Sequence, residues 1–164
     1  VFSFSSFKKM NFLKSILFIF ISSLSFAQVK ILEDYISIEN KSSEVSNKII
    51  SNKEFTKVLV DEYYKLTFEE DLADNELINY QIVKNEFDFN NINLRKNINH
   101  KFSFKSKKSN KYRYSNPLIS KNKNYAIIYE LDNPNGLSGG GNLILLKLEN
   151  DKWKKIGILY SWIA

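Results

Sequence analysis

One stretch of this chain combines positive charges with aromatic rings and contains no acidic residue. It runs from Lys101 to Tyr114 as KFSFKSKKSNKYRY. Aromatic rings beside cations bind single-stranded nucleic acids, and the same charges can meet an anionic lipid or a cell-wall polymer. A hairpin whose rings face the core and whose lysines protect a strand edge explains the pattern as well, and it is the favoured interpretation. The candidate ligand-binding residues of this stretch are Lys101, Lys105, Lys107, Lys108, Lys111, Tyr112 and Arg113.

A loop rich in asparagine and glycine, residues 133–141, is the second candidate. Its glycines precede a predicted strand and not a helix, and no Gly-Lys-Ser/Thr follows them, so the loop lacks the features of a phosphate cradle. We expect a hairpin connection there. The polar groups that it offers to a carbohydrate or a peptide are Asn133 and Asn135, with Asn142 just beyond.

Acidic residues form a third group, within eight consecutive positions: Glu69, Glu70, Asp71, Asp74 and Glu76. A glycosidase needs two carboxyl groups about 5–9 Å apart across one cleft. Clustering on one short segment favours a solvated face or a helix start instead, and the spacing does not fit a calcium loop. His100 is the single histidine, and no Gly-x-Ser-x-Gly accompanies it. The sequence therefore predicts no catalytic set, no cofactor and no metal site.

The first 27 residues have the pattern of a secretory signal peptide. Met10 and Lys14 precede an apolar segment, which ends in a small-x-Ala sequence at Ala27. The apolar segment is too short to span a bilayer, which takes about 20 residues. We expect translation to start at Met10, cleavage after Ala27, and a single mature domain over residues 28–164. Its expected location is secreted or periplasmic, with no transmembrane segment after cleavage.

The net charge and the absence of cysteine restrict the classes of partner and of site that the sequence allows. The formal net charge is +6, but the leader region carries Lys8, Lys9 and Lys14 and no acid, so its removal lowers the charge to +3. Arg95 and Arg113 are the only arginines, whereas proteins that read nucleic acids rely on arginine forks. Specific nucleic-acid binding is therefore not expected. The absence of cysteine excludes disulfides, thiolate nucleophiles, cysteine zinc sites and a lipid-modified cysteine.

The elements that must position these residues are helical in the first half of the mature chain. Apolar residues from Val29 to Glu39 follow a short amphipathic pattern. Ser51 and Glu54 form a capping box, which opens a helix predicted over Asn52 to Leu66. The segment from Phe68 to Leu77 is interpreted as a further short helix or a loop.

Short alternating or apolar runs predict strands from Leu77 onward. Leu77–Val83 and Glu86–Phe89 are the first two, and a β-meander is expected from Lys101 to the end of the chain. Its predicted strands lie at residues 101–105, 112–114, 125–129, 143–148 and 153–163. The predicted fold class is α+β, with N-terminal helices packed on an antiparallel sheet.

The C-terminal third carries a resemblance. The residues that carry it are Ser115-Asn-Pro-Leu-Ile-Ser120, Asn124–Tyr129, Gly136–Gly141 and Leu145–Trp153. In this order they resemble a segment of small secreted bacterial proteins of uncharacterised activity, in which the glycine-rich loop often carries two cysteines. The match covers about 50 of the 164 residues, and it implies the fold class and an exported address. Asn135 and Ser138 stand where the cysteines would be, so no thiol role transfers.

The sequence favours a non-catalytic exported protein that binds an unknown protein or envelope polymer through loops of the sheet. Two alternatives stay open. One is a small envelope-polymer hydrolase that uses carboxylates such as Glu69 or Asp71, with His100 as acid or base. The other is a polyanion binder that uses residues 101–114, for which steeply salt-dependent binding is expected.

Overall fold

The architecture is α+β, with helices in the first half of the described chain and strands in the second. The computed structural model describes residues 27–42, 44–46, 49–89, 111–133 and 138–164. Helix α1 covers residues 27–38, α2 (Asn52–Thr56) continues into a π-helix (Lys57–Tyr64), and a 3-10 turn (Glu69–Asp71) leads to α3 (Asp74–Glu86). The strands are β1 (Tyr112–Tyr114), β2 (Leu118–Ile119), β3 (Tyr125–Asp132), β4 (Gly140–Glu149) and β5 (Lys152–Ile163). The predicted fold class is confirmed.

All strand pairs of the sheet are antiparallel. Strands β3, β4 and β5 lie side by side in chain order, while β1 and β2 both pair with the other edge of β3. The register shifts by one residue between β1 and β2. Ser115 spans this shift, because its N–H donates to the Tyr129 carbonyl at 2.8 Å and its Oγ accepts the Tyr129 N–H at 2.9 Å. The outer edge of the sheet is therefore one strand interrupted by a bulge.

Strands β3 and β4 are buried on both of their faces. Every side chain from Ala126 to Leu131 and from Leu143 to Leu146 is buried, and successive side chains of a strand point to opposite faces. One face packs against α2, the π-helix and α3, through Phe55, Leu59, Tyr63, Tyr80 and Val83. The other packs against α1, through Ile31, Leu32, Tyr35 and Ile36. The sheet is therefore the middle of three layers, which the sequence analysis did not predict.

The helix predicted over Asn52 to Leu66 is confirmed at its start, but it ends at Tyr64 and is not α-helical throughout. Ser51 Oγ accepts the Glu54 N–H at 3.2 Å, as the capping box requires. From Lys57 to Tyr64 the helix is π-wound, and the Lys65 N–H donates to the Val60 carbonyl five residues back. The wider turn suits an apolar spacing of four, because Phe55, Leu59 and Tyr63 all reach the same core.

The two strands predicted at Leu77–Val83 and Glu86–Phe89 are wrong, because residues 74–86 form helix α3. Tyr80, Val83 and Phe87 recur at helical spacing and are buried against the sheet, whereas Ile78, which made the pattern look strand-like, is 59% exposed. Glu76 stabilises the start of the helix, since its carboxylate accepts the Ala73 N–H at 3.1 Å. The first strand of the described sheet is β1.

Two sequence predictions fall partly or wholly outside the described residues. The predicted strand at 101–105 lies outside them, as does the predicted leader up to residue 26. Ala27 and Gln28 begin the described part of α1, so a cut between them would leave the packing side chains of α1, from Ile31 to Ile36, in the mature chain. Within the described residues, no helix has the length and apolarity that a membrane crossing needs.

Gly141→Ala is expected to destabilise the fold by about 1–3 kcal/mol. A Cβ atom at this position would meet Trp162 Nε1 and would lie 2.6 Å from the Tyr129 hydroxyl, two groups that form a hydrogen bond of 2.8 Å. Urea unfolding measures the loss. The same substitution made in a Trp162→Phe background should cost less, because the crowded indole nitrogen is gone. An equal cost in both backgrounds would contradict this account of the packing.

Candidate ligand-binding cleft

A cleft of about 560 Å³ opens beside the N-terminal part of α1. Its volume falls in the range of small-molecule sites, roughly 300–1,000 Å³. Three parts of the chain that are distant in sequence line it: the first described turn of α1, the segment Asn116–Ser120 around β2, and the turn between β4 and β5. The lining is mostly apolar and includes Ile31, Pro117, Leu118, Ile119, Leu148 and Trp153.

Asp34 fixes the α1 wall against the hairpin wall. Its Oδ2 pairs with Lys30 Nζ at 2.8 Å and also accepts the backbone N–H of Trp153 at 3.2 Å. Ile31 anchors the same turn of the helix in the core, where it is 1% exposed. Because one carboxylate contacts both elements, the distance between these two walls is set by hydrogen bonds as well as by packing.

The β2 wall ends in a tightly bonded turn. The Ser120 N–H donates to the Tyr125 carbonyl at 2.9 Å, and Ser120 Oγ accepts the Tyr125 N–H at 3.0 Å while it donates to Asn122 Oδ1 at 2.8 Å. Lys123 adopts a φ of 62°, which completes the reversal. The Lys121 N–H reaches the carbonyl of Glu86, at the end of α3. The turn is therefore held from both sides.

The hairpin wall is a two-residue turn between the strands that were predicted at residues 143–148 and 153–163. Asn150 and Asp151 have φ values of 51° and 60°, which a turn of type I′ between paired strands requires. Leu148 and Trp153 are register partners on either side of it, so both side chains lie on the face that α1 covers. They form the apolar end of the cleft.

Gln28 is the polar group that distinguishes this cleft. It lines the cleft, is only 7% exposed, and its Oε1 has no hydrogen-bond partner in the described part of the chain. A buried acceptor without a partner costs about 1–3 kcal/mol. Among the described residues, Asp132 Oδ1 is the other buried side-chain oxygen without a partner, and it lies at the far end of β3, beside β1. A ligand that donates to Gln28 would recover the lost bond.

The basic and asparagine residues singled out from the sequence lie elsewhere. Lys101, Lys105, Lys107, Lys108 and Asn135 are outside the described residues. Lys111, Tyr112, Arg113 and Asn133 do come together, where β1 meets the end of β3. The Asn133 N–H donates to the Lys111 carbonyl at 2.6 Å, and Asn133 Nδ2 donates to the Ser138 carbonyl at 2.9 Å.

The cations around Tyr112 are already paired. Lys111 Nζ lies 5.0 Å from the ring centroid and 3.4 Å from Glu44, and Lys41 Nζ lies 4.7 Å from the ring and 2.8 Å from Glu130. Each ammonium group therefore has a carboxylate partner as well as a ring. These contacts give Lys41 and Lys111 structural roles at this end of the sheet, and they leave these two lysines little charge to offer a polyanion.

Glu130 is a buried carboxylate inside this same end of the sheet, and it is 2% exposed. It accepts from Tyr114 Oη at 2.8 Å, from Tyr35 Oη at 3.3 Å, from Lys41 Nζ at 2.8 Å and from Asn142 Nδ2 at 3.4 Å. Burial, and then the charge of Glu130, raise the pKa of both tyrosines above its ordinary value. Both phenols therefore stay neutral donors, and the network joins α1 and strand β4 to the edge of the sheet.

The acidic cluster shows no shared pocket. All five of its carboxylates are exposed, Glu69 pairs with Lys84 at 2.6 Å, and Glu76 is used at the start of α3. His100 lies outside the described residues. Among the residues that the structure does describe, no group of three or more His, Asp or Glu side chains is placed to hold a metal ion.

Comparison of the chain with models of protein families, with curated proteins and with solved structures found no match. The function therefore has to be argued from the cleft itself.

Gln28→Met is expected to stabilise the ligand-free protein by about 1–2 kcal/mol, because it removes the buried acceptor that has no partner. Thermal or urea unfolding measures the change. Ser120→Ala is the matched control, since it deletes a buried polar group of the same cleft whose hydrogen bonds are made, and it should destabilise. If Gln28→Met destabilises as much as Ser120→Ala does, then Gln28 is a satisfied structural residue and does not await a ligand.

Proposed function

We propose that this protein is an exported, non-catalytic binding protein of the cell envelope and that the cleft beside α1 is its ligand site. The observation that carries the proposal is the buried Oε1 of Gln28, which lies in a mostly apolar cleft and has no hydrogen-bond partner among the described residues. Apolar walls with a few placed polar groups are typical of sites that bind small molecules. A buried acceptor left open in the free protein is a cost that binding removes.

The charged groups around the cleft support binding over catalysis. Lys30 is held by Asp34, and Lys123 and Asp151 are exposed side chains at the rim. An enzyme site would bring an acid, a base or a nucleophile within hydrogen-bond reach of a reacting atom. The lining of this cleft offers instead the amides of Gln28 and Asn116, the hydroxyl of Ser120, several apolar side chains and opposite charges at its mouth.

The predicted signal peptide fits this proposal. A cut after Ala27 would make Gln28 the first residue of the mature chain and would place it at the cleft. The residues that hold α1 on the sheet follow immediately, starting with Ile31. The proposed cut would remove Ala27, which also lines the cleft, and would keep Gln28 and the other lining residues.

Leu148→Trp is expected to abolish binding of an apolar ligand, because the larger ring would fill the apolar end of the cleft. The neutral fluorophore N-phenylnaphthylamine serves as the probe, and its emission rises when it leaves water. The purified protein should bind the probe saturably, and the variant should bind at least about tenfold more weakly.

Ile158→Trp is the control, since Ile158 lies on the same hairpin, is 49% exposed and does not line this cleft. It should leave the affinity for the probe unchanged. Equal affinities in both tryptophan variants, with both proteins folded by circular dichroism, would overturn the proposed site.

A further inference from the structure

We propose that the side chains of Lys41 and Asn142 join in an intramolecular isopeptide bond, with Glu130 moving the protons. A primary amine and a carboxamide can react together, and both are hydrogen-bonded here to one buried carboxylate. Lys41 Nζ lies 2.8 Å from Glu130 Oε2, and Asn142 Nδ2 lies 3.4 Å from Glu130 Oε1. None of the three residues lines the cleft beside α1, so the bond would form whatever the cleft binds.

The sheet brings Asn142 beside Glu130. The two are register partners on the neighbouring strands β4 and β3, so their side chains lie next to each other on one face. Tyr114 of β1 is the register partner of Glu130 on its other side, and Ser161 of β5 is that of Asn142. Because Tyr114 packs with α1, this row of four side chains lies on the face that α1 covers.

Lys41 reaches the row from the end of α1. Its backbone N–H donates to the Ile36 carbonyl at 3.1 Å, which holds its backbone against the last turn of the helix. Its Nζ lies 4.7 Å from the centroid of the Tyr112 ring and 5.7 Å from that of the Tyr35 ring, and 19% of the side chain is exposed. Rotation of its flexible four-carbon stem is the motion that takes Nζ from Glu130 Oε2 to Asn142 Cγ.

The hydrogen bonds of Asn142 prepare its amide for attack by an amine. A carboxylate can only accept hydrogen bonds, so the nitrogen side of the amide faces Glu130. The oxygen side faces β5, where Oδ1 accepts from Ser161 Oγ at 2.6 Å. A donor at this oxygen stabilises the negative charge that forms on it when an amine adds to the carbonyl carbon.

The reaction is an aminolysis that needs no other reactant. Lys41 Nζ passes a proton to Glu130 Oε2 along their hydrogen bond, and the neutral amine adds to Asn142 Cγ. The adduct passes a second Nζ proton to Nδ2 through the carboxylate, the Cγ–Nδ2 bond breaks, and ammonia leaves. Ammonia takes the remaining proton from Glu130, so the carboxylate is restored and the products are the new amide and one ammonium ion.

The bond would tie the end of α1 covalently to the central strand β4. The chain contains no cysteine, so it has no disulfide that could do the same. A cross-link between residues distant in sequence restricts the unfolded chain, as a disulfide does. The isopeptide bond is therefore expected to hold α1 on the sheet even when its hydrogen bonds open.

Mass spectrometry of the denatured full chain tests the bond. The mass of the 19.2 kDa chain should lie about 17 Da below the value calculated for its sequence, because one ammonia is lost. Proteolysis should yield a branched peptide in which Lys41 is joined to Asn142. On a denaturing gel the cross-linked chain should run ahead of a linear variant, because its unfolded state is more compact.

Three variants locate the reaction. Lys41→Arg keeps a cation beside Glu130 without an attacking amine, and its mass should equal that of its sequence. Lys111→Arg is the matched control, since Lys111 contacts the Tyr112 ring too but pairs with Glu44, and it should keep the loss of ammonia. Glu130→Gln removes the proton carrier and should slow bond formation by about a hundredfold or more.

Two results would overturn the isopeptide bond. The full sequence mass in the folded, unaltered protein, with no branched peptide, would show that Lys41 and Glu130 form an ordinary ion pair. A loss of ammonia that persists in Lys41→Arg would arise at another residue. If Glu130→Gln does not fold, the branched peptide of the unaltered chain and the mass of Lys41→Arg decide.

Discussion

The structure depends on one constraint, which is that strands β3 and β4 are apolar on both faces. A strand from Ala126 to Leu131 that is buried throughout cannot rest on one layer of helices, because half of its side chains would face water. Burying each large apolar side chain contributes about 1.5–3 kcal/mol. The chain meets this need by placing α1 on one face and the π-helix with α3 on the other.

Polar contacts then decide where α1 lies on its face. Within the helix, Asp34 accepts from the backbone of Trp153. The next residue, Tyr35, donates to Glu130, and so does Lys41, which follows the end of the helix. These contacts fix the helix across β3 and β4 and leave β2, at the edge, only partly covered. The cleft lies between α1, which packs on the central strands β3 and β4, and β2 at the edge of the sheet. The bulge at Ser115 shifts the register of β2 relative to β1.

Local signals in the sequence were enough for elements that depend on local physics. Ser51 begins a helix through its own hydroxyl, and the hairpin at Asn150 follows from residues that tolerate positive φ. The region Leu77–Val83 was predicted wrongly, because a short apolar run is compatible with a strand and with one face of a helix. The exposed Ile78 made this run look like a strand. The start of α3 is stabilised by the hydrogen bond from the Ala73 N–H to Glu76. In the sequence, Glu76 was recognised only as a member of the acidic cluster.

The site was beyond sequence reasoning for a physical reason. Gln28, Ile119 and Leu148 meet only after three layers have packed, and no spacing along the chain records that meeting. Two features of the sequence did indicate the layered packing around the site. The unbroken apolar run Ala126–Tyr129 indicates a strand buried on both faces, and Glu130 directly after it indicates a buried carboxylate that needs hydrogen-bond donors.

Amide hydrogen exchange on the purified protein tests the central claim most directly, because it reports whether α1 is a fixed wall of the fold. The account predicts that the amides from Leu32 to Ile36 exchange as slowly as those of β3 and β4, since all of them open only with the whole domain. Exchange of α1 at the rate of an unfolded chain, with β3 and β4 still protected, would contradict it.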